Sequence, residues 1–410
     1  MRSYLNPFNL ILLIYFKLDY FFTAYISFAF LKLKGSNFIK RTKKRKNINL
    51  LKEKIEKNDK KRLAIFVAYH ASKNIPKSNL NYLDILNKCS FTTIYLINGN
   101  LNKEVSEKLN SLGCYVICRE NIGQDFGAYK DGIALIKKYK ITDQLKWLLL
   151  CNDSNFCLGG KNSDNFIAKF SENLDSNNKA DFISLNCNYE RRIHYQSYFL
   201  CLSPLIFQER SFNRFWKKYI PFNHRYHTIE NGEKKFTTKV LNKYRPKIIY
   251  TSHELCEQLN LNLDNDYHYL IKNLPKSLYF LESAFTNNPG NQEAFKLGIL
   301  QIMNTLESYN PSHVFGLLNI IYLKSPFLKQ DVMRQGVFSF SQIYEILKLD
   351  KLNIEESLRK EIMDTLIKGG TPISYMETRK AAYKKGISIN GQIYQYQTAT
   401  KLLRSKYFGK

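Results

Sequence analysis

The chain has 410 residues, of which 44% are hydrophobic and 14% aromatic; this excludes wholesale disorder and leaves room for two or three domains. A formal net charge of +27 favours anionic neighbours, but much of it stands in solvated clusters at residues 41–46 and 57–62, and no helix-turn-helix, zinc or ribonucleoprotein signature points to nucleic acid. Eight cysteines form no CxxC pair, which fits reduced, buried thiols rather than a zinc site.

In chain order, residues 9–16 and 20–31 are apolar and aromatic, broken by Lys17 and Asp19, and a basic block follows at residues 40–46. A single membrane span needs about 20 uninterrupted apolar residues, and no small-x-small cleavage site follows this one. The pattern suits an amphipathic segment on an anionic membrane surface, with its basic side on the cytoplasmic face of an inner membrane. Residues 52–62 read as a charged linker or solvated helix. Short apolar, β-rich runs then predict strands at residues 63–69, 91–97, 114–118 and 147–151, alternating with helices at 79–88, 103–112 and 129–139. That alternation predicts a parallel, doubly wound α/β sheet. Further strands are expected at 180–185, 197–202 and 247–250, with a helix at 234–243. From about residue 291 the pattern is mainly helical, at 293–306, 341–347 and 355–367, and a boundary is expected near 286–291.

Ligands of open α/β sheets bind beyond the carboxyl ends of the strands. The loop after the third strand carries Asn121, Gly123, Asp125, Phe126 and Tyr129, a set able to hydrogen-bond a sugar and stack a base, although it reads equally as a glycine-punctuated turn. No GxGxxG dinucleotide fingerprint is present. After the fourth strand come Asn152, Asp153 and Ser154; one carboxylate suffices to anchor a cation bridging phosphates, yet Asn-Asp-Ser is also an ordinary turn. In residues 194–199, His194, Gln196 and Tyr198 fall on one face of an expected strand, suited to a sugar ring or to a core. Glu233 follows Asn231-Gly232 at an expected helix start, where a carboxylate serves either as a base or as a complement to the helix dipole.

Taken together these segments resemble the GT-A fold of nucleotide-sugar glycosyltransferases, and within it the rhamnan synthesis protein F family of bacterial polysaccharide glycosyltransferases. The resemblance rests on residues 121–129, 152–154, 194–199 and 231–233, and on Asn310-Pro311-Ser312-His313 followed by residues 326–329; it spans about residues 63–335. The family usually has Arg where Gln124 stands, and the fold's Asp-x-Asp cation motif is represented by Asn152-Asp153-Ser154, with a single carboxylate.

The resemblance implies a GT-A-like Rossmann-type sheet flanked by helices with a mainly helical C-terminal region. The division would be an N-terminal membrane-associating segment and linker (1–60), a catalytic domain (61–288) and a helical region (289–410). It implies transfer of a sugar from a nucleoside diphosphate donor to a growing, lipid-linked bacterial glycan at an anionic membrane surface, without nucleic acid. Glu233 and Asp153 would be catalytic, Asp153 also holding Mg²⁺ or Mn²⁺. Asn121, Gly123, Asp125, Phe126, Tyr129, Asn152 and Ser154 would hold the nucleotide sugar, and His194, Gln196 and Tyr198 the acceptor. The competing expectations are a non-catalytic carbohydrate-binding or assembly protein on the same fold and, from the charge alone, a nucleic-acid-binding protein.

Overall fold

The structure is a computed structural model that describes residues 42–45, 48–69, 74–176, 180–189, 193–221, 223–259, 272–275, 310–334, 337–349 and 352–368, with isolated positions between 11 and 29 and at 304. The expected helix at 293–306 and the boundary at 286–291 lie outside these residues, apart from position 304.

The first strands are β1 (Thr42–Arg45), β2 (Arg62–Ala68), β3 (Phe91–Asn98), β4 (Tyr115–Arg119) and β5 (Trp147–Asn152). All seven residues of β2 are buried. Leu63, Ile65 and Val67 enter the core on one face and Ala64, Phe66 and Ala68 the core on the other. A strand apolar on both faces needs helices on both sides of its sheet. On the first face lie α1 (Ile48–Glu56), through Leu51 and Ile55, and α4 (Gln124–Lys138), through Phe126, Tyr129 and Ile133. On the second lie α2 (Lys77–Lys88), α3 (Lys103–Ser111) and α5 (Gly160–Asp175), whose Phe166 and Phe170 stack at 5.4 Å.

The chain continues through β6 (Asn155–Cys157), β7 (Phe182–Ser184), β8 (Cys187–Asn188), β9 (His194–Tyr195), β10 (Phe199–Leu202), α6 (Arg210–Lys218) and β11 (Pro246–Ile248). The main sheet has the order β1-β4-β3-β2-β5-β10-β7-β11. Strands β2 to β5 are parallel, as the alternation predicts. Beyond β5 the sheet is mixed: β10 runs antiparallel to both β5 and β7, and β11 is parallel to β7. The protein is thus a mixed α/β sheet flanked by helices, consistent with a GT-A-like Rossmann fold.

The C-terminal part adds α7 (Gly316–Ile321), β12 (Phe327–Lys329), α8 (Phe340–Leu347) and α9 (Glu356–Lys368). It is mainly helical, but β12 pairs antiparallel with β6, placing Lys329 opposite Asn155. Its helices share a core with Phe156 and Leu158, so this part is stitched to the loop that follows β5.

Three sequence expectations are corrected. The segment expected as a charged linker or a solvated helix is entered by a helix, Ile48–Glu56, but not a solvated one: Leu51 and Ile55 are fully buried, and Thr42–Arg45 before it pairs with β4 as an edge strand. Helix α4 starts at Gln124 rather than near 129, so the glycine-punctuated segment is its first turn. The strand expected at 197–202 is present but starts late, at Phe199, and a turn separates it from β9, which ends at Tyr195; the Phe199 N–H turns back to the Gln196 carbonyl. Among the described residues no helix is long and apolar enough to cross a membrane.

Candidate active site

The carboxyl ends of β4 and β5 bring charged side chains into one cluster, and the loop after β4 is fixed first. Arg119 is fully buried; its Nε donates to Asp131 Oδ2 at 2.9 Å, while its guanidinium also reaches the Asn98 side chain and the Ile122 carbonyl. Asn223 closes the loop from outside, accepting from the Gly123 N–H and donating to the Asn121 carbonyl, both at 2.7 Å. Gly127 must be glycine, since a Cβ there would lie 2.1 Å from the Ile122 carbonyl oxygen. These contacts start α4 where Asp125 stands in its first turn, a favourable place for a carboxylate.

Asp125 links this loop to the next: Asn152 Nδ2 donates to Asp125 Oδ2 at 2.9 Å. The Asn152 Oδ1 in turn accepts from the Ser154 N–H and Oγ, at 3.1 and 2.6 Å. Asp153 Oδ2 accepts from the Tyr69 N–H at 2.7 Å, tying the end of β2 to the loop.

The third contribution comes from the helical stretch Arg225–Leu241, which contains wide π-type turns at Thr228–Lys234 and Thr237–Leu241. Such turns re-aim side chains and recur at functional sites. Each residue of the Asn231-Gly232-Glu233 motif has a separate task. Asn231 Nδ2 donates to His227 Nδ1 at 3.0 Å, so the neutral ring donates from Nε2 to the Ile220 carbonyl. Burial holds His227 down at about 4. Gly232 lies against the Phe126 ring, where a Cβ would sit at 2.9 Å. Glu233 Oε1 accepts from the Ser197 N–H and Oγ, at 2.8 and 2.6 Å. Glu230 pairs instead with Lys234 at 2.6 Å.

The fourth contribution is cationic. Strand β12 carries Lys329 to the β5 loop, where Nζ donates to Ser154 Oγ at 2.7 Å and lies 4.2 Å from the centre of the Tyr198 ring. Arg225 pairs with Asp331 just beyond it. The charges feel one another. Burial and then the neighbouring Glu233 raise Asp125 to about 6. Burial brings Lys329 down to about 8 despite Asp331, Glu233 and Asp125. Arg225 is held above its ordinary value by Asp331 first.

Several expected site residues gather here: Asp125, Asn152, Asp153, Ser154, Tyr198 and Glu233. Others do not. Phe126 is a core ring, packed 5.7 Å from Trp216 and 5.6 Å from Tyr219, with no face left for a base. Tyr129 is buried and its hydroxyl donates to the Ser197 carbonyl. Gly123 packs under Pro221, and Asn121 is exposed on the loop. His194 and Gln196 are buried, and the break between β9 and β10 removes the common face on which they were expected with Tyr198. Arg225, Lys329 and Asp331 were missed as site residues. Residues 326–329 carried the resemblance, but only pairing with β6 gives Lys329 a place in the cluster.

The loop after β5 offers a divalent cation a single carboxylate, Asp153, beside a competing positive charge. Asn152 and Ser154 are neutral and already bonded to each other, Asp153 Oδ2 is engaged by Tyr69, and an ammonium sits against Ser154. Among the described residues, no group of three or more His, Cys, Asp or Glu side chains could hold a metal.

A model described as Rhamnan synthesis protein F matches residues 93–311, just over half of the chain. The "Uncharacterized protein y4gN" of Sinorhizobium fredii is 26% identical over 262 residues, covering 61% of this chain and 66% of its own length, so the chain spans just under two thirds of that relative. The glycosyltransferase GlyE of Streptococcus pneumoniae TIGR4 is similar over 51% of this chain and 50% of its own, at 9% identity and a TM-score of 0.27, too loose a likeness to carry an argument.

Proposed function

The chain belongs to the rhamnan synthesis protein F family, and from that premise we propose that it transfers a sugar from a nucleoside diphosphate sugar to a hydroxyl of a growing bacterial surface glycan. The observation that carries this reading is the gathering of opposite charges: the carboxylates Asp125 and Glu233 lie within electrostatic reach of Lys329 and Arg225.

Glycosyl transfer makes two demands. Negative charge develops on the departing diphosphate, and a proton leaves the attacking hydroxyl. Glu233 is suited to the second task, because Ser197 fixes one carboxylate oxygen and the other is left to take the hydroxyl proton. Asp125 keeps a second carboxylate beside it and, through Asn152, couples the acidic side to the β5 loop. Asp153 works as a positioning residue, holding the end of β2 beside the donor. Tyr198 supports Lys329 with its ring while its hydroxyl donates to Asn186 Oδ1 at 2.9 Å. No step is routed through a divalent cation: the β5 loop holds one carboxylate, and an ammonium already sits against its Ser154.

The acceptor is lipid-linked and the protein works at the cytoplasmic face of the inner membrane. Support comes from the described positions near the N-terminus, which are helical and leave Ile11, Phe21 and Ile26 more than half exposed, and from the net charge of +27. A melting screen of the full chain against nucleoside diphosphate sugars tests the reading, starting from the rhamnose donors that the family's name suggests. A donor at ~100 times its Kd stabilises the native state by about 2.7 kcal/mol. Stabilisation by duplex DNA with no response to any sugar nucleotide overturns it.

A further inference from the structure

We propose that the Lys329 ammonium, rather than a divalent cation, contacts the diphosphate of the donor. This rests on the transferase reading above and names the group that answers the leaving-group charge.

The first observation is a buried charge lacking an anion. Lys329 is only 8% exposed. Its Nζ has a hydroxyl, Ser154 Oγ, and the face of Tyr198, and among the described residues no carboxylate lies within 4 Å of it. A buried ammonium is costly unless it is paired. Asp125, Glu233 and Asp331 act on it only from farther away, and Asp331 is already bound to Arg225. A hydroxyl and a ring leave one of the three ammonium protons for an incoming oxygen.

The second observation is a further donor without an acceptor. Asn155, the register partner of Lys329 across the β6–β12 ribbon, is buried, and its Nδ2 has no hydrogen-bond partner. An ammonium with a proton to spare and an unpartnered amide, on register partners, call for oxygen acceptors. The third is position: Lys329 bonds to Ser154 in the loop at the carboxyl end of β5, where ligands of open α/β sheets bind. Attraction between a phosphoryl oxygen and an ammonium needs no intermediary ion, and a lysine serves as a point charge for phosphate. No covalent step is involved: the diphosphate binds, leaves the sugar with the bonding electron pair, and is held by Lys329 as it departs.

The test is calorimetric binding of UDP, GDP and dTDP to the full chain, in EDTA and again with Mg²⁺ or Mn²⁺. At least one nucleotide is expected to bind in EDTA, within about threefold of its affinity with metal. Lys329→Gln, which keeps the chain length and removes the charge, is expected to weaken that binding at least tenfold while its melting curve stays cooperative. Strictly metal-dependent binding, or a folded Lys329→Gln that binds as wild type does, overturns this inference and leaves the transferase reading standing. Absence of binding by all three nucleotides in both buffers overturns the two together. Should Lys329→Gln fail to fold, the comparison of EDTA with metal on the unaltered chain decides alone.

Discussion

The acidic and basic sides of the cluster are built in different ways. The acidic side grows from the parallel half of the sheet and the helical stretch beside it: Asp125 opens α4, Asn152 ends β5, and Glu233 is aimed by a widened helical turn against Ser197. Its geometry is locked by short-range devices, the Arg119–Asp131 pair and the tight approach of Gly127 to Ile122. The basic side is delivered from far along the chain: Lys329 meets Ser154 across 175 residues. The contrast shows a fold that builds its carboxylates and Arg225 into adjoining elements and brings Lys329 in by tertiary pairing.

The sharpest way to break the acidic side is Glu233→Gln. It keeps the bonds to Ser197 and removes basicity, so kcat is expected to fall by ~10²–10⁴-fold with donor binding retained. Steady-state kinetics beside donor calorimetry check this; equal losses of both would make Glu233 a binding residue. Next comes the lock beneath it. Arg119→Met leaves Asp131 buried without its cation, and the expected loss is about 3–5 kcal/mol of stability. Urea unfolding measures it, and a loss under 1 kcal/mol would show that the pair is not what holds the loop.

A smaller effect is expected at Gly232. Gly232→Ala drives a methyl into the Phe126 ring and should cost about 1–3 kcal/mol, with kcat reduced as Glu233 shifts. The pH profile sharpens the same comparison. Asp125 is raised to about 6 from 3.8, so its charge, and activity that depends on it, is lost as pH falls through about 6. The sign for stability is opposite: over that interval the folded state takes up the proton more readily than the unfolded chain, so Asp125 favours folding as pH falls. His227 and His313, held at about 4, act the other way: the unfolded chain protonates first, and stability declines as pH falls below their ordinary 6.5. An acid limb of kcat near pH 6, above any fall in melting temperature that the two histidines against one carboxyl bring, is therefore the signature; a limb near 4 contradicts it. Glu230→Gln is the smallest change, expected to remove only an i,i+4 pair worth about 0.3–0.5 kcal/mol and to leave kcat within twofold.

What was legible in the sequence follows the same division. Strands β2 to β5 were readable because each is a short apolar run bounded by turn residues, and Asp125 and Asn152 because they stand at the ends of such runs. The start of α4 was misread because two glycines signal a loop until the close approach of Ile122 is seen. Phe126 was expected to stack a base because aromatic rings beside polar groups read alike in a core and in a site; only Trp216, Tyr219 and Gly232 around it decide. Lys329 was invisible as a ligand, since nothing near it in sequence betrays that β12 pairs with β6. The edge strand and Leu51 also set where the N-terminal segment proposed to meet the membrane can be removed. A truncation at residue 52 would cut into the sheet layer, whereas one starting at Thr42 preserves it and should lose sedimentation with anionic vesicles.

The most direct test of the central claim is release of nucleoside diphosphate from a sugar nucleotide by the full chain, with and without membranes bearing lipid-linked glycan. The account predicts release that requires the acceptor and falls at least a hundredfold in Glu233→Gln. Donor binding with no acceptor-dependent release above that of Glu233→Gln, for any sugar nucleotide, would contradict it and leave a protein that binds sugars without transferring them.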